Sequence, residues 1–172
     1  MKLSTTMPSH RKTSLTAGIL YLLTFVSIPS IALYSNAKSD NFILGAGPDT
    51  GAIIAGVLEV IVALAGIATA VVLFPMLKKQ REGFALGLVA SRTLEAACIF
   101  VGVAFLMTVV HLRQSGPGSD SLVVSNALVS LYDRIFLLSQ SFIPGINDLL
   151  LGFLLYKSRL IPRAISMIGM IG

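Results

Sequence analysis

Read for its alternation of apolar and polar positions, the chain is a series of long apolar runs divided by short polar stretches. Leu15–Tyr34, Gly51–Leu77 and Phe84–Val110 are three such runs, and Leu122–Tyr156 is a fourth, less uniform region. At about 1.5 Å of rise per residue, each is long enough as a helix to cross a hydrocarbon layer roughly 30 Å thick. The pattern predicts an all-α, integral membrane helical bundle with spans at about 15–34, 51–77, 84–110 and 135–156. Ile161–Gly172 is apolar but too short to cross. It reads as the start of a fifth span that the sequence does not complete, as in a truncated product. Four complete spans and this start form one domain, 15–172, behind a basic tail at Met1–Ser14.

Two boundaries need argument. The first run competes with a signal peptide, because Ser35-Asn36-Ala37 resembles a small-residue cleavage site. Its length exceeds the roughly 7–15 residues of a signal-peptide core, which favours a true span. Pro29 falls late in that span, where a kink is tolerated. The fourth region is too long for one perpendicular helix, and Asp133-Arg134 divide it. The preferred reading takes Leu122–Leu131 as an interfacial lead-in and Ile135–Tyr156 as the span, kinked at Pro144-Gly145. One long tilted helix is the alternative. Between runs, Asn36–Thr50 and Arg113–Ser121 read as turn-forming loops from their Gly, Pro, Ser and Asn content.

Composition sharpens the class. Of 172 residues 55% are hydrophobic and only 12% charged, against about 25% charged in soluble domains. The net charge of +5 raises nucleic acid as a partner. The basic residues instead cluster at the ends of apolar runs, which excludes that reading in favour of the bilayer. With no Trp, an aromatic belt falls to tyrosine, and Tyr34, Tyr132 and Tyr156 lie near predicted membrane edges. Cys98 is the single cysteine, so there is no intrachain disulfide. Its place in an apolar run reads as an inert buried thiol.

Lys and Arg alternate between loops. The N-terminal tail has three, the first loop Lys38 alone, and the second Lys78, Lys79 and Arg81. The third has Arg113, with Arg134 near the edge, and the fourth has Lys157, Arg159 and Arg163. The excess of positive charge predicts that the N-terminus, the second loop and the last loop are cytoplasmic. The expected location is the cell (plasma or inner) membrane, multi-pass.

Several stretches together resemble a known family. They are Ala17-Gly18-Ile19-Leu20-Tyr21-Leu22-Leu23-Thr24-Phe25, Leu73-Phe74-Pro75 with its basic loop, and Ser91-Arg92-Thr93-Leu94-Glu95-Ala96. The closing Leu154-Leu155-Tyr156-Lys157-Ser158-Arg159-Leu160-Ile161-Pro162-Arg163, with Gly169 and Gly172, completes the set. The chain resembles bacterial multi-spanning membrane proteins of the domain of unknown function 4386 family. Those proteins look longer, with further spans after the Pro-Arg stretch. The resemblance implies a membrane location and a helical bundle, and implies no activity.

The candidate chemistry is a buried polar cluster: Glu59, Arg92, Glu95 and Asp148. Each acid lies on a stripe of small residues at helical spacing. The stripes are Glu59, Ala63, Gly66, Ala70; then Gly87, Ser91, Glu95, Cys98, Gly102; then Ser141, Gly145, Asp148, Gly152. All three acids should therefore point into the bundle. Arg92 and Asp148 share a depth of about 12 Å from the nearer boundary, so Arg92 can pair with Glu95 on its own helix or with Asp148 across helices. Glu59 has no cation in reach by this count. An ionisable residue at membrane depth is normally turned inward and paired.

These groups serve either as a clamp that fixes packing or as a proton or ligand site. No catalytic, cofactor or metal site is predicted. His10 and His111 fall on opposite sides of the membrane, which excludes bis-histidine haem, and HExxH is absent. Gly83-x-x-x-Gly87 is a packing motif, since no Lys-Ser/Thr follows. The first function hypothesis is a non-enzymatic structural or partner-binding bundle, its partners the lipid bilayer, another membrane protein or a second copy. The alternative is a small proton-coupled transporter or carrier in which Glu59 or Glu95 changes protonation. An intramembrane enzyme ranks last, for want of a nucleophile–base arrangement.

Overall fold

The computed structural model describes residues 9–45, 47–116, 118–158 and 162–171. Four helices in it are long and apolar enough to cross a membrane: Arg11–Ala37, Thr50–Leu77, Glu82–Ser115 and Asp120–Ser158. A short helix, Asp40–Ile43, and a terminal helix, Arg163–Ile171, complete the described elements, and no strand occurs among them. The all-α bundle predicted from the apolar runs is the observed fold. Of the basic tail, residues 1–8 lie outside the described residues. Arg11 and Lys12 belong to the first helical turns rather than to a separate tail.

Two of the long helices are not uniform, and proline explains both. In the first, a 3-10 stretch at Thr24–Ser27 precedes Pro29. In the fourth, a π-helical stretch at Leu138–Phe142 precedes Pro144. Proline lacks an N–H and its ring crowds the carbonyl four residues earlier, so the preceding turn tightens or widens to accommodate it. The fourth region is therefore continuous from Asp120 to Ser158, as in the alternative single-helix reading. Asp133-Arg134 do not break it. Its 39 residues rise about 58 Å at helical pitch, so the helix must tilt or extend beyond the hydrocarbon.

Loops are shorter than the sequence pattern indicates. The helix that contains Phe84–Val110 runs on through Arg113 to Ser115, and the next starts at Ser119. After the helix Gly116 takes a φ of +140°, a conformation that a side chain would strain. The loop expected over Asn36–Thr50 contains the Asp40–Ile43 helix, capped by Ser39, whose hydroxyl accepts from the Phe42 N–H at 3.3 Å.

The second and third long helices form the centre, packed against each other through Ala63, Ala96 and Ile99. The first lies against the second, and the fourth against the third. Among the described residues, the backbones of the first and fourth helices do not pack on each other. At one end, side chains close this gap: Tyr34 stacks edge-on against Tyr132, with ring centroids 5.4 Å apart, and Lys38 Nζ meets Asp133 at 2.6 Å.

Further contacts tie down the same end, which carries residues 38–45, 47–49, 116 and 118. Arg113 binds Asp49 and the carbonyls of Gly45 and Gly47 and lies over the Phe42 ring. Asn126 donates to Asp40 at 3.2 Å. We call this the two-loop end, and the end with residues 78–81 the basic-turn end.

The terminal helix packs on the fourth long helix at Gly152, where an added Cβ would run into Met170 and lie 3.3 Å from the Ser166 carbonyl oxygen. Its nine residues rise only about 14 Å, too little to cross by themselves. Residues 159–161 and 172, which include Arg159 and part of the resemblance, lie outside the described residues.

Candidate functional site

The four candidate polar residues fall into two separate places. Glu59 is 2% exposed and faces the fourth helix, where the Tyr132 hydroxyl donates to its Oε1 at 3.0 Å. Tyr34 lies beside the same carboxyl, although its hydroxyl makes no hydrogen bond of ordinary geometry. Two glycines border the arrangement, where an added Cβ would meet the tyrosines at ordinary contact distance. A Cβ on Gly102 would stand 3.4 Å from the Tyr132 ring, and one on Gly56 would stand 3.5 Å from the Tyr34 hydroxyl. Lys38 covers the outer face of the Tyr132 ring at 4.5 Å from its centroid. Glu59 is thus enclosed by tyrosines from two other helices.

The tyrosines were the missed signal. Both were expected at membrane edges as an aromatic belt, yet Tyr34 is 1% and Tyr132 3% exposed. By hydrogen-bonding a buried acid the Tyr132 hydroxyl offsets its own desolvation, which interface placement would not require. Tyr132 sits immediately before Asp133-Arg134, and that charge pair suggested a membrane edge. The helix instead places Asp133 outward to Lys38 and Tyr132 inward to Glu59.

The second place is at Arg92. Its Nη1 donates to both oxygens of Glu95, at 2.9 and 3.2 Å, one helical turn away. Residues three apart share a face, so this pair forms within one helix without constraint on its neighbours. The link between helices comes from Asn147, fully buried on the fourth, whose Nδ2 donates to Glu95 Oε2 at 2.6 Å. Of the two pairings open to Arg92, the one with Glu95 is realised.

Asp148 is next to Asn147 in sequence but turned about 100° around the helix. It is half-buried and makes neither a hydrogen bond nor an ion pair within 4.0 Å. The stripe Ser141, Gly145, Asp148, Gly152 accordingly does not face the core throughout: Ser141 and Gly145 are exposed and Gly152 is buried. The polar residue that the fourth helix sends to Glu95 is Asn147, which carries no charge. The stripe of the second helix is buried at Glu59, Ala63, Gly66 and Ala70, as expected.

Between the two outer helices lies a cavity of about 300 Å³. Arg92, Glu95 and Asp148 line one side, with Gln140 from the π-helical stretch. Tyr21 and Phe25 face them from the first helix, beside Thr24 and Ser27 of its 3-10 stretch. The two irregular stretches of backbone therefore flank one space. Irregular backbone at membrane depth is tolerated where it is buried in protein or lines a cavity, and π-helical turns recur at functional sites.

No group of three or more metal-ligating side chains occurs among the described residues. Of the groups that line the cavity, the hydroxyls of Thr24 and Ser27 donate to backbone carbonyls rather than to Glu95 or Asp148.

A family model described as a domain of unknown function, DUF4386, matches residues 16–172, nearly the whole chain. No curated protein and no solved structure matches.

Proposed function

The chain belongs to the DUF4386 family, and from that premise we propose a non-enzymatic membrane bundle whose buried charges hold its helices in register. The observation that supports this is the cross-helix bond from Asn147 to Glu95, with Arg92 as the counter-charge. A buried carboxylate that receives an amide and a guanidinium is satisfied, and its removal from either side strands a partner. The second and third helices are not fixed to the fourth by shape alone.

Orientation belongs to the same proposal. The N-terminus and the basic turn at 78–81 face the cytoplasm of a bacterial cell, and the two-loop end faces out. The distribution of Lys and Arg supports it. Single cysteines at Ser39 and Gln80, both exposed, in a Cys98→Ser background test it with an impermeant thiol reagent on intact cells. Labelling at 39 alone is expected; labelling at 80 alone reverses the topology.

A second reading, a small solute carrier, is favoured by Asp148, which opens into the cavity with no partner. The two readings separate in reconstituted vesicles. A clamp alone gives folded protein without solute flux, whereas a carrier gives flux that Asp148→Asn abolishes.

A further inference from the structure

The cavity has a definite polarity. One guanidinium against two carboxylates, Arg92 against Glu95 and Asp148, leaves it formally at −1. Arg92 is already engaged by both oxygens of Glu95, so the charge left over is that of Asp148. The hydroxyls point the same way. Thr24 Oγ1 donates to the Tyr21 carbonyl at 2.6 Å, and Ser27 Oγ donates to the Thr24 carbonyl at 3.0 Å. With their protons committed to backbone, these oxygens offer the cavity only lone pairs. Gln140 and Tyr21 can donate as well as accept, so it is the unpaired carboxylate that makes a positively charged, hydrogen-bond-donating guest complementary to this lining.

The walls narrow the class further. Tyr21 and Phe25 stand edge-to-face with centroids 6.4 Å apart, and both border the cavity. Aromatic rings attract organic cations, while hard metal ions require a shell of about six oxygen ligands. Only one carboxylate here is unengaged. A volume of about 300 Å³ is at the lower end for small-molecule sites.

We propose that this cavity binds a small primary ammonium compound with an apolar body, with Asp148 as its counter-charge and Tyr21 and Phe25 as its apolar wall. A zwitterion would leave the excess negative charge in place, and an anion would add to it. The inference deepens the second reading, but binding can be measured without transport. Binding without flux would leave the site and remove the carrier; flux without ammonium binding would do the reverse.

The test is calorimetric titration of the purified chain in lipid nanodiscs, with empty nanodiscs subtracted. The ligands are phenethylammonium, 2-phenylethanol, phenylacetate, phenylalanine and sodium chloride. Saturable binding of phenethylammonium is expected, at least tenfold tighter than the alcohol, the acid or the amino acid, and insensitive to millimolar sodium.

Asp148→Asn should weaken it at least tenfold, whereas Glu59→Gln should leave it unchanged. If Asp148→Asn does not fold, Tyr21→Leu serves instead, with a several-fold loss expected. Equal binding of 2-phenylethanol would overturn the proposal, as would tighter binding of phenylalanine, displacement by sodium, or unchanged affinity in the substituted proteins. Absence of saturable phenethylammonium binding would overturn it too.

Discussion

Glu59 and Asp148 are both carboxylates within apolar helices, and the bundle treats them oppositely. Glu59 lies toward the two-loop end, where Tyr34, Tyr132 and the Lys38–Asp133 pair bring the first and fourth helices together. Asp148 lies toward the basic-turn end, where the same two helices stand apart around a cavity. One gap, closed at one end by aromatic side chains and left open at the other by two proline-linked irregular turns, gives the two acids different environments. A buried charge in a membrane protein is therefore not evidence of function by itself. Whether its oxygens are occupied by the protein's own donors decides the matter.

The comparison can be broken in several places. The largest effect is expected for Arg92→Leu, which leaves buried Glu95 without the guanidinium that pairs with it. Breaking a buried pair from one side costs about 3–5 kcal/mol, to be read as lost stability in denaturant titrations of the purified protein in detergent. A loss no larger than that of a surface substitution would mean that the pair is not buried.

Asn147→Ala comes next. It removes a buried amide from Glu95 Oε2 and should cost about 1.5–3 kcal/mol, as expected for a hydrogen bond to a charged group. Because the bond joins two helices, the variant should also loosen the fourth helix, visible as faster amide exchange around 143–152.

At the closed end the two tyrosines make a controlled pair. Tyr132→Phe removes the hydroxyl that reaches Glu59 and should cost about 1–2 kcal/mol. Tyr34→Phe removes a buried hydroxyl that lies beside Glu59 without a hydrogen bond of ordinary geometry and should cost less than Tyr132→Phe. Equal losses would show that both hydroxyls serve Glu59. The smallest effect, under about 0.5 kcal/mol, is expected for Lys38→Met, because its ion pair with Asp133 is largely solvent-exposed.

Much of this was legible in the sequence, for reasons that are physical. Apolar runs of 20 residues or more have one stable home, so the four helices followed from length and hydropathy alone. The small-residue stripe through Glu59, Ala63, Gly66 and Ala70 fixed its face correctly, because on a packed helix only small residues admit a neighbour. The pairing of the first and fourth helices was not legible. It depends on Tyr34 meeting Tyr132, a contact between residues 98 positions apart that leaves no local trace.

The cavity was hidden for a related reason. Pro29 and Pro144 each signalled a local irregularity, and nothing in either stretch indicated that the two would face each other. Asp148 was placed on the right helix at a suitable depth, but one residue of rotation separates it from the inward position that Asn147 occupies.

One acid is sealed and the other open, and the difference can be measured without altering the chain. A water-soluble carbodiimide with glycine methyl ester converts accessible carboxyls to amides, and peptide mass spectrometry reads each position. Exposed Glu82 serves as the internal standard for an accessible group. When Glu82 is fully converted, Asp148 should be substantially converted while Glu59 and Glu95 remain unmodified. Conversion of Glu59 at the same rate as Asp148 would contradict the account, and so would protection of Asp148 to the same degree as Glu59.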